Sequence, residues 1–157
     1  MLGLLFKITL ASFLMDMFNP SAEYPGAGII LVRGSPPTEV LLVRNLFTGS
    51  WSFTKGTHEP FDATYRDNAV REVWEEAGLI EGEDYTVYDG PCLFKKRPYW
   101  FGTVHSNRPP LLNTAEHMDV RWVPIHAEIS TPNKDLEKWI DKGRPLRCNG
   151  ILNLTEV

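Results

Sequence analysis

Glu72, Glu75 and Glu76 stand at i, i+3 and i+4, so a helix carrying them brings three carboxylates onto one face. Like charges at this spacing repel by roughly 0.2–0.5 kcal/mol per i,i+4 pair. A solvated surface tolerates that cost, and a bound cation turns it to use. Arg71 precedes Glu72 and lies one turn before Glu75, where a guanidinium can hold both side chains in place. Carboxylate and main-chain carbonyl oxygens suit hard cations, Mg²⁺ or Mn²⁺, rather than zinc. Mg²⁺ keeps several waters, so two or three protein carboxylates suffice if phosphate oxygens complete its shell. The chemistry such a face could do is cation-assisted attack of water on a phosphoanhydride, where charge neutralisation and positioning carry most of the rate. The alternative is a plain solvated acidic face.

The elements that would position these groups can be read around them. Val70, Val73, Trp74 and Ala77 recur at helical spacing and predict a stripe that packs on a sheet, with the glutamates on the opposite side. Thr64 is suited to the N-cap, with Asp67 three residues on, and Gly78 supplies the stop. Upstream, Gly26 to Arg33 and Thr38 to Arg44 read as two strands joined at Gly34-Ser35-Pro36-Pro37. The glycines opening the first strand point to close approach of another backbone. Asn45 to Ser50 reads as a loop, and Trp51 to Gly56 as a short strand leading into the loop before the helix. Downstream, Asp84 to Tyr88, Cys92 to Val104 (interrupted by Pro98) and Asp119 to Pro124 are strand candidates, and Asn133 to Asp141 a second helix ended by Gly143.

The segment Gly56–Leu79 resembles the Nudix box: Gly, five residues, Glu, seven residues, then Arg-Glu-apolar-x-Glu-Glu-x-Gly-apolar. Arg71 to Leu79 match every fixed position of the second half. The first half departs from the pattern. Asp62 holds the glutamate position, and eight residues rather than seven separate it from Arg71. Trp51-Ser52-Phe53-Thr54-Lys55-Gly56 resembles the Trp-x-x-Pro-Lys-Gly lead-in of dinucleoside polyphosphate hydrolases and decapping Nudix proteins, with Thr54 in place of proline. Glu116-His117 ahead of Arg121-Trp122 is similar to a segment of dinucleoside tetraphosphate hydrolases, where a glutamate approaches the metals and can act as base.

The resemblance implies an α/β fold, the Nudix αβα sandwich with a mixed sheet between helices. It implies that Glu72 and Glu76 are metal ligands, with Glu75 a third ligand or a base and the Lys55 carbonyl, beside Gly56, completing a shell. Arg71 would orient Glu72 and Glu75, Asp62 would replace the first glutamate of the box, and Glu116 would be a further base candidate. The implied cofactor is Mg²⁺ or Mn²⁺. The implied reaction is cleavage of a dinucleoside polyphosphate, diadenosine tetraphosphate to ATP and AMP. Decapping of mRNA, diphosphoinositol polyphosphate cleavage, and a non-catalytic nucleotide- or RNA-binding role on the same scaffold stand as alternatives.

Substrate selection is expected from outside the helix. Lys95, Lys96 and Arg97 could hold distal phosphates, and Tyr99 or Phe101, on one strand face with Trp100 on the other, could stack on a base. Trp51 is a similar candidate, and core packing is the competing role for all three aromatic rings. His117 reads as a packed or solvated residue.

The chain of 157 residues, 43% hydrophobic and 11% aromatic, suits one domain with a sizeable core. A net charge of −4 lacks the basic footprint of a long nucleic acid and is compatible with a small polyphosphate partner that arrives with its own cations. Cys92 and Cys148 form neither metal spacing nor a disulfide framework, and a reduced, cytoplasmic setting is expected. The expected layout is an apolar extension and linker over 1–24, the Nudix domain over 25–145 and a tail over 146–157. Met1–Phe18 is too short and charged for a spanning helix and lacks the marks of a signal peptide. A packed or interface helix, or a true start at Met15 or Met17, would account for it. The sequence does not set the oligomeric state.

Overall fold

The computed structural model describes residues 24–149; the expectations for Met1–Phe18 and the far C-terminus fall outside them. Seven strands form one mixed sheet: β1 (Gly26–Arg33), β2 (Glu39–Asn45), β3 (Trp51–Ser52), β4 (Thr54–Thr57), β5 (Tyr85–Phe94), β6 (Arg97–Val104) and β7 (His117–Pro124). Helix α1 (Tyr65–Ala77) lies between β4 and β5 in sequence, and α2 (Lys134–Asp141) follows β7. Strand β1 is the axis. One edge pairs in parallel with β6, in the register Gly28↔Tyr99 to Val32↔Thr103. The other edge is shared, β4 taking Gly26–Ile29 and β2 taking Val32 and Arg33. Strand β7 covers the far side of β2.

Alternation along β1 builds the sandwich. Ala27, Ile29 and Leu31 face α1 and pack with Ala69, Val73 and Ala77. Ile30 and Val32 face the other side and pack with Phe53, Leu136 and Trp139 of the α2 layer. A strand buried on both faces reads as a continuous apolar run, which is why GAGIILVR has so few polar positions. The glycine start of β1 has the expected use. A Cβ on Gly26 would fall 1.8 Å from the Gly56 carbonyl oxygen, so only hydrogen lets β4 close on β1.

Thr64 caps α1, its hydroxyl accepting from the Asp67 N–H at 3.0 Å. Gly78 ends the helix at φ 67°, donating to the Trp74 carbonyl at 2.9 Å. The buried arc of the helix differs from the expected stripe. Ala69, Val73 and Ala77 form its centre, Glu72 and Glu76 are buried with them, and Trp74 is 55% exposed. At about 100° per residue, the arc is rotated away from Trp74 toward the glutamates. Small side chains at 69, 73 and 77 let the helix sit close to β1, and strand β4, through Gly56, covers the glutamate flank.

Trp51–Gly56 forms two short strands, β3 on β2 and β4 on β1, rather than one. The region from Tyr85 to Val104 is a hairpin turning at Lys95-Lys96, with Pro98 paired to Leu93 inside it. Leu146 to Cys148 pack on β5, where the Tyr88 hydroxyl donates to the Leu146 carbonyl and Asp89 accepts from the Cys148 N–H, each at 2.8 Å. The packed unit therefore runs past 145. Both cysteines are free and buried. No helix among the described residues is long and apolar enough to cross a membrane.

Candidate metal centre

Strand β4 at Gly56 and the flank of α1 meet at a cavity of about 430 Å³. Five glutamates line it, Glu59, Glu72, Glu75, Glu76 and Glu116, against two basic residues, Lys55 and Arg71. Glu76 is the most enclosed of them, at 2% exposure. One of its oxygens accepts from the Lys55 N–H at 2.7 Å, and the other lies 3.0 Å from His117 Nε2. Glu72 is 6% exposed and lies against Gly56. Glu116 is exposed; one of its oxygens lies within 4.8 Å of the ligand atoms of Glu76 and His117, and no partner binds its carboxylate among the described residues. His117 Nδ1 is buried and has no hydrogen-bond partner among the described residues, while Nε2 faces Glu76.

Arg71 ties the site together. Its Nε and Nη2 donate to the two Asp62 oxygens at 2.9 and 2.8 Å. Nη1 donates to Glu72 at 3.0 Å and to Glu75 at 3.0 and 3.1 Å, and Nη2 also reaches the Thr57 carbonyl at 2.9 Å. The altered first half of the box thus closes on itself. Asp62, one methylene short and one residue further away, meets the guanidinium in a two-point pair and accepts from the Glu59 N–H at 2.8 Å. Asn68 helps to fix the same loop through the Gly56 and Thr57 carbonyls at 3.3 and 3.4 Å.

The charges follow from this geometry. Hydrogen bonds from Arg71 hold the Asp62 carboxyl below its ordinary range, and its carboxylate neighbours keep Arg71 firmly charged. Burial pushes Glu72 up to about 7, and the nearby Glu76 adds to the rise. Burial also raises Glu76, against the lowering effect of His117 and the Lys55 N–H. A site that must keep two carboxylates charged in such surroundings is incomplete without positive charge. Among the described residues, Glu76, Glu116 and His117 bring two carboxylate oxygens and an imidazole nitrogen within 4.8 Å of one another, with Glu72 on the same cavity wall, and this mainly oxygen set could hold a divalent cation.

Two predictions arise here. A Cβ on Gly56 would fall 2.1–2.3 Å from the Glu72 carboxyl atoms. Gly56→Ala should displace Glu72 and cut cation affinity by about 10–100-fold, the range seen when groups supporting a metal site are lost; calorimetric Mn²⁺ titration reads it. The second concerns pH. The folded protein holds Glu72 protonated to a higher pH than the unfolded chain does. The stability this confers in cation-free buffer is complete below the ordinary glutamate range and is lost as pH rises through about 7. In full, a displacement from 4.5 to about 7 is worth roughly 3 kcal/mol, part of it within the window between pH 5.5 and 8. Bound cation requires the carboxylate, so saturating Mn²⁺ should raise the melting temperature by roughly 5 °C more at pH 8 than at pH 5.5. Equal shifts at both pH values would count against Glu72 as a ligand.

The structure separates the other sequence candidates from this cavity. Lys95, Lys96, Arg97, Tyr99, Phe101 and Trp51 do not line it. Lys95 and Lys96 are exposed at the hairpin turn. Arg97 is 3.3 Å from Asp135 of α2, and the Tyr99 hydroxyl donates to the same carboxylate at 2.5 Å. Tyr99 and Phe101 are fully buried under α2 and offer no free face to a base. Trp51 lines a different groove, with the guanidiniums of Arg44 and Arg121 at 5.7 and 5.3 Å from its ring centroid. Two rings that sequence reasoning passed over, Phe47 and Phe61, do line the cavity, at 81% and 72% exposure. Their signal was an aromatic residue in the middle of a turn, where no core can receive it.

The NUDIX domain model matches residues 23–144. A probable nudix hydrolase of Schizosaccharomyces pombe is 27% identical over 135 residues, which is 82% of this chain and 44% of that protein. The chain thus spans less than half the length of this curated relative. Among solved structures, a Caenorhabditis elegans Ap4A hydrolase in a binary complex is similar, with a TM-score of 0.62 and 22% identity over 74% of this chain and 92% of that one. An ADP-ribose pyrophosphatase from Streptococcus suis has a TM-score of 0.53 and 18% identity over 77% and 93% of the two chains. At such identities the solved structures speak for the fold. With the domain match and the box of Arg71 to Leu79 on α1, the chain belongs to the Nudix family.

Proposed function

We propose that the protein is a cation-dependent Nudix hydrolase that cleaves a phosphoanhydride bond in a dinucleoside polyphosphate, with diadenosine tetraphosphate giving ATP and AMP. The observation that carries this reading is the pair of buried carboxylates, Glu72 and Glu76, beside Glu116 on a cavity wall. When bound there, Mg²⁺ or Mn²⁺ would neutralise phosphate charge and make water a better nucleophile. The chain's own residues divide the remaining work. Glu72 and Glu76 hold the charge in place, while Arg71 fixes Glu72 and Glu75. Glu75 has both oxygens on Arg71, whereas the Glu116 carboxylate is exposed and unpaired among the described residues. Glu116 therefore suits the proton-accepting role better than Glu75.

The intact grip of Asp62 on Arg71 supports an enzyme over a binding module that has lost its box. A wall with five glutamates and two basic residues suits a densely charged inositol polyphosphate poorly. The test is a panel of diadenosine tetraphosphate, capped RNA, a diphosphoinositol phosphate and ADP-ribose, each with Mg²⁺ or EDTA. Cation-dependent release of ATP and AMP from the tetraphosphate, faster than turnover of the others, is the expected result. Preferential cleavage of another member would replace the substrate class, and no cleavage of any would overturn the reading.

A further inference from the structure

We infer that Phe47 and Phe61 form a base-binding rim to this cavity, and that they make the protein select nucleotides over base-free polyphosphates; this rests on the function proposed above. They are the two most exposed large apolar side chains among the described residues. Phenyl rings left in water forfeit the burial that stabilises a fold, so two of them at one cavity mouth call for a ligand. Both are set by turns that fix their backbones. Asn45 Oδ1 accepts from the N–H groups of Phe47 and Thr48, each at 2.9 Å. On the other loop, Asp62 and Glu59 exchange hydrogen bonds at 2.9 and 2.8 Å, which closes the turn carrying Phe61. The Arg71 guanidinium lies 5.2 Å from the Phe61 ring centroid, so the cation that grips the acidic floor also seats this ring.

Floor and rim together define the ligand. The floor takes phosphate through cations, and the rim takes a flat apolar surface. A nucleoside polyphosphate carries both parts, whereas an inorganic or inositol polyphosphate would leave the two rings in water. Phenyl rings have no hydrogen-bonding edge, so they recognise a base by stacking and tolerate its identity. Adenine and guanine nucleotides should therefore bind within a few-fold of each other.

The probes are methylene-bridged, non-hydrolysable analogues of ATP and GTP, and inorganic tripolyphosphate, each titrated calorimetrically with Mg²⁺ present. Wild-type protein should bind the nucleotide analogues about tenfold or more tighter than tripolyphosphate. Phe47→Ala and Phe61→Ala should each weaken the nucleotide analogues about 5–20-fold and move tripolyphosphate less than about twofold, with Phe61→Trp restoring affinity. Both side chains are exposed, so melting temperatures should not change. Equal wild-type affinity for nucleotide and tripolyphosphate, absence of nucleotide binding, or alanine variants with unchanged nucleotide affinity would each overturn the inference. Turnover of diadenosine tetraphosphate, measured alongside, keeps the two proposals apart. Base-dependent binding without turnover sinks the hydrolase and leaves the rim. Turnover indifferent to both rings sinks the rim alone.

Discussion

Glu76→Gln should lower turnover by about three orders of magnitude and leave the fold intact, with higher stability in cation-free buffer. The loss corresponds to ~4 kcal/mol of transition-state stabilisation, within what a cation clamp supplies. Glu76 is the carboxylate with least access to water, and its charged form is disfavoured by burial. The amide keeps the shape and one acceptor for the Lys55 N–H. Its NH₂ group can then face His117 Nε2 in place of the carboxylate oxygen. Removing a buried charge without leaving a hole should add about 1 kcal/mol to apo stability. Thermal melts in EDTA and initial rates with Mg²⁺ read the two effects together. Loss of activity with loss of folding would mean that Glu76 is structural; retained activity would remove it from the site.

The second large effect is expected at Arg71. Its side chain is 18% exposed and holds the Asp62 and Glu72 side chains, themselves 3% and 8% exposed, and the outer Glu75. Arg71→Ala strands these carboxylates against one another, and breaking a buried pair in this way costs about 3 kcal/mol. For a domain of this size that is a fall of roughly 10 °C in melting temperature. Arg71→Lys should recover less than half of it. An ammonium cannot meet both Asp62 oxygens while also reaching Thr57, Glu72 and Glu75. Mg²⁺ should partly rescue the alanine variant, because a cation supplies the missing charge to Glu72. A variant as stable as wild type in EDTA would show that the network adds little.

The second half of the box was legible because its spacing is local. Thr64, Gly78 and the run from Arg71 to Leu79 fix the helix ends and bring Glu72, Glu75 and Glu76 to one side. The layered order of strands and helices could be read for the same reason. Burial could not. Alternation correctly set Tyr99 and Phe101 on one face of β6 and Trp100 on the other. Which ring stayed free depended on α2, whose Leu136 and Trp139 cover Tyr99 and Phe101 from some 35 residues away in sequence. Trp74 shows the converse. Its spacing fits an apolar stripe, but strand β4 at Gly56 draws the buried arc toward Glu72 and Glu76 and leaves the indole outside. The repair of the box by Asp62 is also tertiary, since a shorter side chain on a longer loop reaches Arg71 only if the loop folds back. Phe47 and Phe61 become meaningful once their turns are seen to meet at one cavity.

If Glu72 and Glu76 of α1 hold the cation that assists hydrolysis of a nucleoside polyphosphate, cleavage and cation binding must rise together. The most direct measurement is the initial rate of diadenosine tetraphosphate cleavage across a Mg²⁺ titration, with the nucleotide products separated. No cleavage in EDTA, saturable activation by Mg²⁺, and ATP and AMP in equal amounts are expected. Cleavage that persists in EDTA, or a protein that binds Mg²⁺ and the substrate together yet leaves the substrate whole, would contradict that role.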